Sequence, residues 1–259
     1  MSDQLLPPGR RTSGITRRGE RIWRPMGPWT PAVHEYLRHL EGAGFGGAPR
    51  VLGVDGDFEV LTYIDGEVAA DPHWQPGHEH QLPGYAKTRE ALRASAVLLR
   101  QLHDAAAGFV PEHTSYRFHP HPPLPGEIIC HGDIGPWNTV YRDGLPVAFI
   151  DFDGAGPAQP LTDLASAAWS FVPLAPWATG MGDRLADFVT AYGLADPAVI
   201  LPVLARCRLS SPAMIEEVAP DVLGMADKLE YLAGELRWIE SVLPDLALAL
   251  RLWEKRSPR

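Results

Sequence analysis

Cysteine is scarce in this chain of 259 residues: Cys130 and Cys207 are the only two, both in apolar surroundings and without metal-ligand spacing. A core of this length needs no disulfide or structural metal, and two reduced, buried thiols in a cytoplasmic protein are the natural reading. Long apolar runs are also missing, so no segment is expected to span a bilayer and no membrane partner is expected. Met1 to Arg24 is polar and carries several arginines, unlike a secretory leader. Positive charge is in deficit, with 23 Lys and Arg against 32 Asp and Glu, a net charge of -9. Phosphate backbones reward lysine and arginine, so nucleic acid is not expected as a partner. The same balance is compatible with a cationic small molecule. No Gly-x-Ser-x-Gly turn occurs, which leaves a hydrolase reading without support, and no repeat period stands out.

What is present divides into regions of different texture. Up to about residue 67, short β-prone segments (Ile15 to Thr16, Arg21 to Arg24, Arg50 to Val54, Phe58 to Ile64) alternate with Gly-rich turns such as Gly53-Val54-Asp55-Gly56. One helix interrupts them: Thr30 suits a cap, Pro31 the first helical position, and Val33, Tyr36, Leu37 and Leu40 form an apolar stripe. Residues 68–83 form a linker rich in Pro, His and Asp. An amphipathic helix over Tyr85 to Ala107 follows, with Leu92, Ala96, Leu99 and Leu102 on one face. A Pro- and His-rich loop then spans Pro111 to Pro125. From Asp163 onward the pattern is helical: Asp163 to Phe171, Gly182 to Tyr192, Pro197 to Arg208 and Ala226 to Leu243. The sum is an α+β chain with a small β-rich lobe over 1–67 and a larger, mainly helical lobe over 68–259.

The stretch from Ile128 to Ala165 carries the chemistry. Ile128 to Cys130 leads into His131-Gly132-Asp133 and then Gly135-Pro136-Trp137-Asn138. Two apolar strands follow, Thr139 to Arg142 and Leu145 to Ile150, joined by Asp143-Gly144, whose residues tolerate positive φ and signal a hairpin. The fold-back brings Asn138 and Asp151 to one end of the ribbon, with Asp133 just upstream. Carboxylate and amide oxygens converging there make a hard site of the kind Mg2+ prefers. In kinases a loop Asp accepts the proton of the attacking hydroxyl, an Asn after four intervening residues holds one metal, and the Asp of a later Asp-Phe-Gly holds the metals. Asp133, Asn138 and Asp151-Phe152 keep that order and spacing.

On these residues the sequence resembles the aminoglycoside phosphotransferase-like (phosphotransferase enzyme) family of small-molecule kinases. His131-Gly132-Asp133 through Asn138 matches its catalytic loop. Ile150-Asp151-Phe152, Gly156-Pro157 and Asp163-Leu164-Ala165 match its metal loop and the helix start beyond. The resemblance implies a two-lobed, protein-kinase-like fold, with ATP or GTP as co-substrate and a small-molecule hydroxyl as acceptor. Asp133 would be the catalytic base, and Asn138 and Asp151 the Mg2+ ligands. Asp163 would brace the loop from a helix N-terminus, in keeping with N-cap chemistry.

The small lobe departs from that pattern. The first turn, Pro8-Gly9-Arg10-Arg11-Thr12-Ser13-Gly14, is not a phosphate loop. Arg24 stands where a lysine is expected on the third strand, keeping the charge as a planar fork. The helical glutamate that normally pairs with the lysine has no clear counterpart. Val33 falls near its place, and Glu35 lies two residues on, about 200° around the helix. The backbones of Thr62 and Ile64 are the expected adenine contacts. The departures keep open a second reading, a kinase-like binding protein with little or no activity.

Other residues read more plainly. His131 is expected to bond backbone near the metal loop and not to act as a base. Asp153 is open between a metal contact and a surface carboxylate. His113, His119 and His121 lack the accompanying pattern of a zinc site. Trp169, Phe171 and Trp177 suit core or pocket wall. Glu216, Glu217, Asp221, Asp227 and Glu230 suit a wet helical face that would favour amines if it lined the cleft.

Overall fold

The computed structural model describes residues 4–6, 13–71, 78, 80–210 and 225–256. Residues 8–12 of the first turn, with Glu216, Glu217 and Asp221, lie outside the described residues, as does the side chain of Asp227.

The small lobe is a five-stranded antiparallel sheet. Its strands are β1 (Gln4–Leu5), β2 (Thr16–Arg18), β3 (Arg21–Pro25), β4 (Val51–Asp55) and β5 (Phe58–Thr62), in the order β1-β2-β3-β5-β4. Helix α1 (Thr30–Gly42) connects β3 to β4. Trp29, not Thr30, takes its N-cap position, and no side chain caps it. The Thr30 hydroxyl instead accepts from Gly27 N at 2.9 Å, closing the turn before the helix. The stripe of Val33, Tyr36, Leu37 and Leu40 is buried as the periodicity requires.

Beyond Thr62 the chain leaves this sheet. Strand β6 (Glu67–Val68) pairs with β8 (Thr139–Arg142), which pairs in turn with β9 (Leu145–Phe149). The β8–β9 connection is the Asp143-Gly144 turn, with both residues at positive φ (52° and 78°). A second ribbon joins β7 (Ile128–Cys130) to β10 (Gly156–Ala158).

The helices of the large lobe are α2 (Arg89–Ala106), α3 (Pro160–Phe171), α4 (Met181–Tyr192), α5 (Leu201–Ser210) and α6 (Met225–Arg256). Four differ from the periodicity: Pro197–Ile200 is a 3-10 turn, so α5 starts only at Leu201. A 3-10 turn, Gly84–Lys87, precedes α2, which begins only after Thr88 caps it by accepting from Ala91 N at 3.0 Å. Helix α3 starts at Pro160, so Asp163 lies inside its first turn and is not its cap. Helix α6 runs through Pro244 and does not stop at Leu243. Its buried face continues beyond the proline, with Leu246 and Leu250 packed in the same core as Ile239, and that burial offsets the lost backbone bond. Among the described residues no single helix is long and apolar enough to cross a membrane.

One apolar core holds both lobes. Tyr36, Leu37 and Leu40 of α1 share it with Leu92, Leu99 and Leu102 of α2, and with Phe152, Leu164 and Phe188. Leu99 is wholly buried. Leu99→Ala is expected to destabilise the protein by about 3 kcal/mol, through lost transfer energy and an uncollapsed cavity. Chemical denaturation checks this, and a midpoint equal to wild type would contradict it.

Candidate active site

The loops that the resemblance makes catalytic (131–138) and metal-binding (151–154) are pressed together because a glycine stands where they meet. Gly132 has φ +77°, and a Cβ there would lie 2.2 Å from Gly154 O. Only glycine permits both that conformation and that approach. Further hydrogen bonds hold the loops in place. His131, fully buried, accepts from Asp133 N at Nδ1 (3.3 Å), so the proton sits on Nε2, which donates to Ile150 O at 3.0 Å. Burial lowers its pKa, keeping the ring neutral, and the ring also packs on Phe152. His131 thus links backbone to backbone, as its sequence context indicated. Asp163, buried in α3, accepts from Gly132 N at 3.2 Å and pairs with His103 at 3.0 Å. Tyr192 OH lies 2.8 Å from the other nitrogen of His103.

Asp133 and Asn138 meet directly. Asn138 Nδ2 donates to Asp133 O at 2.8 Å and to Asp133 Oδ2 at 2.9 Å. Both bonds use the amide nitrogen, which leaves the amide oxygen as the group able to ligate a cation. Ile150 N donates to Asn138 O at 2.9 Å, so the residue preceding Asp151 is fastened to Asn138. Asp151 itself is left-handed (φ 63°), a conformation that costs energy in a non-glycine residue and that concentrates at functional sites. Its side chain is 40% exposed. The donor set is one amide oxygen and two carboxylates, all hard oxygens, and it fits a magnesium ion.

Arg24 reaches this loop from the small lobe. Its Nη2 lies 2.8 Å from Asp151 Oδ1 and 3.0 Å from Asp153 Oδ2, and its Nη1 lies 3.3 Å from Glu59 Oε1. Burial opposes the guanidinium charge, but Asp151, Asp153 and Glu59 outweigh it and raise its pKa. Asp153 is therefore no loose surface carboxylate. It is 15% exposed and also receives a hydrogen bond from the Trp29 side chain. Burial pushes its carboxyl above the usual carboxylate range; Arg24 opposes that, and Asp151 and Glu59 add to it. Arg117 stacks over the Trp29 ring at 4.4 Å, adding a second lobe-to-lobe contact beside it.

Glu35 does not join the cleft. It accepts from Glu112 N (2.7 Å) and His113 N (2.9 Å) of the large lobe. Burial disfavours its charge, but these bonds prevail and lower its pKa. Glu59 and His34, which do join, went unrecognised in the sequence. The available signal was the β3–β5 pairing, which sets Arg24 opposite Glu59. Thr62 closes β5 with its N–H donated to Arg50 O at 3.0 Å, so Thr62 can offer a ligand its carbonyl; Ile64 follows two residues past the strand. Of the three histidines in the Pro-rich loop, His113 pairs with Glu35, while the His119 and His121 rings stand 6.2 Å apart. Trp169 and Phe171 are core residues, and Trp177 is exposed. His103, Cys130 and Asp163 come within metal-ligating distance of one another. They are buried, and the Asp163 carboxylate is already committed to Gly132 and His103.

Comparison with known proteins agrees with this geometry. The phosphotransferase enzyme family profile matches residues 116–202, which include both loops. The trifolitoxin immunity protein of Rhizobium leguminosarum bv. trifolii is 38% identical over 175 residues, 65% of this chain and 62% of that protein. The match thus spans less than two thirds of that relative's length. Among solved structures, a choline/ethanolamine kinase family protein from Mesorhizobium loti superposes with TM-score 0.61 at 19% identity, covering 96% of this chain and 91% of that one. The amicoumacin kinase complex with AMP-PNP and Ca2+ gives 0.61 at 13% identity, over 92% and 88%. The GDP complex of an aminoglycoside 2'-phosphotransferase gives 0.55 at 14% identity, over 95% and 93%. These likenesses show the two-lobed, kinase-like fold. Over residues 116–202, the segment that holds Asp133, Asn138 and Asp151, the chain is similar to the phosphotransferase enzyme family.

Proposed function

We propose that this protein moves the terminal phosphoryl group of ATP or GTP to a hydroxyl of a small molecule, with Mg2+ as the required ion. The observation that carries the reading is the pair of hydrogen bonds from Asn138 Nδ2 to Asp133, which holds a proton acceptor and a metal-capable amide oxygen in one rigid unit beside Asp151. Asp133 orients the acceptor hydroxyl and takes its proton. Asn138 and Asp151 would hold the ion, which supplies charge neutralisation along the phosphates. Arg24 adds positive charge from the small lobe, and its planar fork suits a phosphate. The backbones of Thr62 and Ile64 would meet the adenine or guanine ring. Catalysis here is positioning plus electrostatic stabilisation, and these groups provide both.

The acceptor class we favour is a hydroxylated amine. The excess of acidic residues supports it, as do similar folds in proteins described as choline/ethanolamine kinase family and amicoumacin kinase. The relative described as a toxin immunity protein adds toxins and antibiotics to the molecules to test. A panel of amino alcohols, antibiotics and sugars, assayed for Mg2+-dependent release of nucleoside diphosphate, tests the proposal. Turnover with at least one hydroxylated amine is expected, and Asp151→Asn is expected to lower it by about a hundredfold or more, the scale of losing one preorganised charge partner. Turnover of Asp151→Asn at the wild-type rate would remove Asp151 from the site.

A specific observation favours a second reading, in which the protein binds but does not transfer. Arg24 Nη2 bridges Asp151 and Asp153, a cation already seated between the carboxylates that would face the metal. Nucleotide binding by calorimetry that is indifferent to Mg2+ would favour this reading over the first.

A further inference from the structure

Arg24 is held at both edges of its fork, and the two edges belong to different lobes. Nη2 faces Asp151 and Asp153 of the metal loop. Nη1 faces Glu59, its cross-strand neighbour on β5. Cross-strand partners in an antiparallel pair project from the same face of the sheet, which is why the two side chains meet. Glu59 has a second partner. Its Oε2 lies 2.8 Å from His34 Nε2, on the face of α1 turned to the sheet. All three side chains are nearly sealed from water, at 8%, 3% and 6% exposure for Arg24, Glu59 and His34.

In kinases the glutamate that pairs with the phosphate-contacting cation comes from the helix of the small lobe. In this protein α1 contributes no carboxylate to the cleft, because Glu35 is turned to the loop at Glu112 and His113. We propose that Glu59 and His34 are positioning residues that replace that pair: a strand carboxylate grips Arg24, and the helix holds the carboxylate through an imidazole. The inference rests on the phosphotransfer reading. Its physical basis is the fate of a buried charge. If Mg2+ were held by Asp151 with phosphate alongside, Arg24 would give up its metal-loop carboxylates for phosphate oxygens, and Glu59 is the partner that stays in its own sheet. Anchored at Nη1, the guanidinium keeps Nη2 aimed at the cleft and exchanges carboxylate for phosphate without leaving its place. His34 fixes the rotamer of Glu59 by bonding the oxygen that Arg24 does not use.

The test compares wild type with Glu59→Gln, His34→Leu and His34→Gln. Calorimetry measures Mg2+-ATP affinity, and nucleoside diphosphate release gives kcat and KM. Glu59→Gln is expected to weaken nucleotide binding by about tenfold or more, the loss of one charge-assisted bond. His34→Leu is expected to weaken it by roughly threefold to tenfold, whereas His34→Gln, which retains an N–H donor for Glu59, stays within about threefold of wild type. In KM the same order is expected, while kcat falls less. A folding defect alone would lower the melting temperature without separating Leu from Gln at position 34. Should Glu59→Gln fail to fold, the two His34 variants decide. If wild type binds nucleotide and His34→Leu binds equally well, the positioning role is overturned and phosphotransfer stands. If wild type binds no nucleotide, both fall.

Discussion

Asp133→Asn is expected to lose about 10³-fold in kcat, within the range for a general base, while Mg2+-ATP binding stays within about threefold of wild type. The asparagine keeps an oxygen for Asn138 Nδ2, whose other bond goes to the backbone carbonyl of the same residue. Loop geometry is therefore retained, and what disappears is the ability to take a proton. Asp133→Ala removes the side-chain acceptor as well and is expected to be equally inactive. Single-turnover kinetics with saturating acceptor, alongside calorimetry, separates chemistry from binding. Full activity in Asp133→Asn would show that the acceptor hydroxyl is deprotonated elsewhere, and the assignment of this loop would fail.

Gly132→Ala is expected to lower stability by about 3 kcal/mol or more, combining a left-handed penalty with a backbone collision. A melting temperature lower by roughly 10 °C follows for a chain of this size. The collision is with Gly154 O, at 2.2 Å from the new Cβ, and Gly154 sits in the metal loop. The chain has little room to yield, because Gly132 N is bonded to Asp163 and His131 is bonded to Ile150. Separation of the loops should also part Asp133 from Asp151, so activity falls with stability. Thermal unfolding by circular dichroism provides the check. A variant that melts with wild type would mean that the two loops are not in contact.

Local features were legible where a short stretch of chain settles its own geometry. The Asp143-Gly144 hairpin is one case: both residues take the positive φ that such a turn demands. The buried stripes of α1 and α2 are another. Errors gathered at helix ends and at long-range partners. Thr30 has cap chemistry yet directs its oxygen to Gly27, and Asp163 braces the loop through Gly132 as the resemblance implied, but from inside the first turn and not as a cap. Pro244 reads as a stop, but the apolar face on both sides of it is buried and the helix continues. Asp153 looked equally suited to solvent, and its fate was decided by Arg24, 129 positions upstream.

The amino-acid order alone determined the fold class and the adjacency of the loop aspartate and asparagine, since hydrophobic period, turn residues and a five-residue spacing act over a few ångströms of contiguous chain. Which carboxylate holds Arg24 was decided only in three dimensions. Strand register set Glu59 opposite it, helix rotation turned Glu35 away, and lobe contact brought Asp151 and Asp153 to its other edge. The reason is electrostatic: a buried guanidinium takes whichever anions the packing brings within reach, and sequence distance places no limit on that choice.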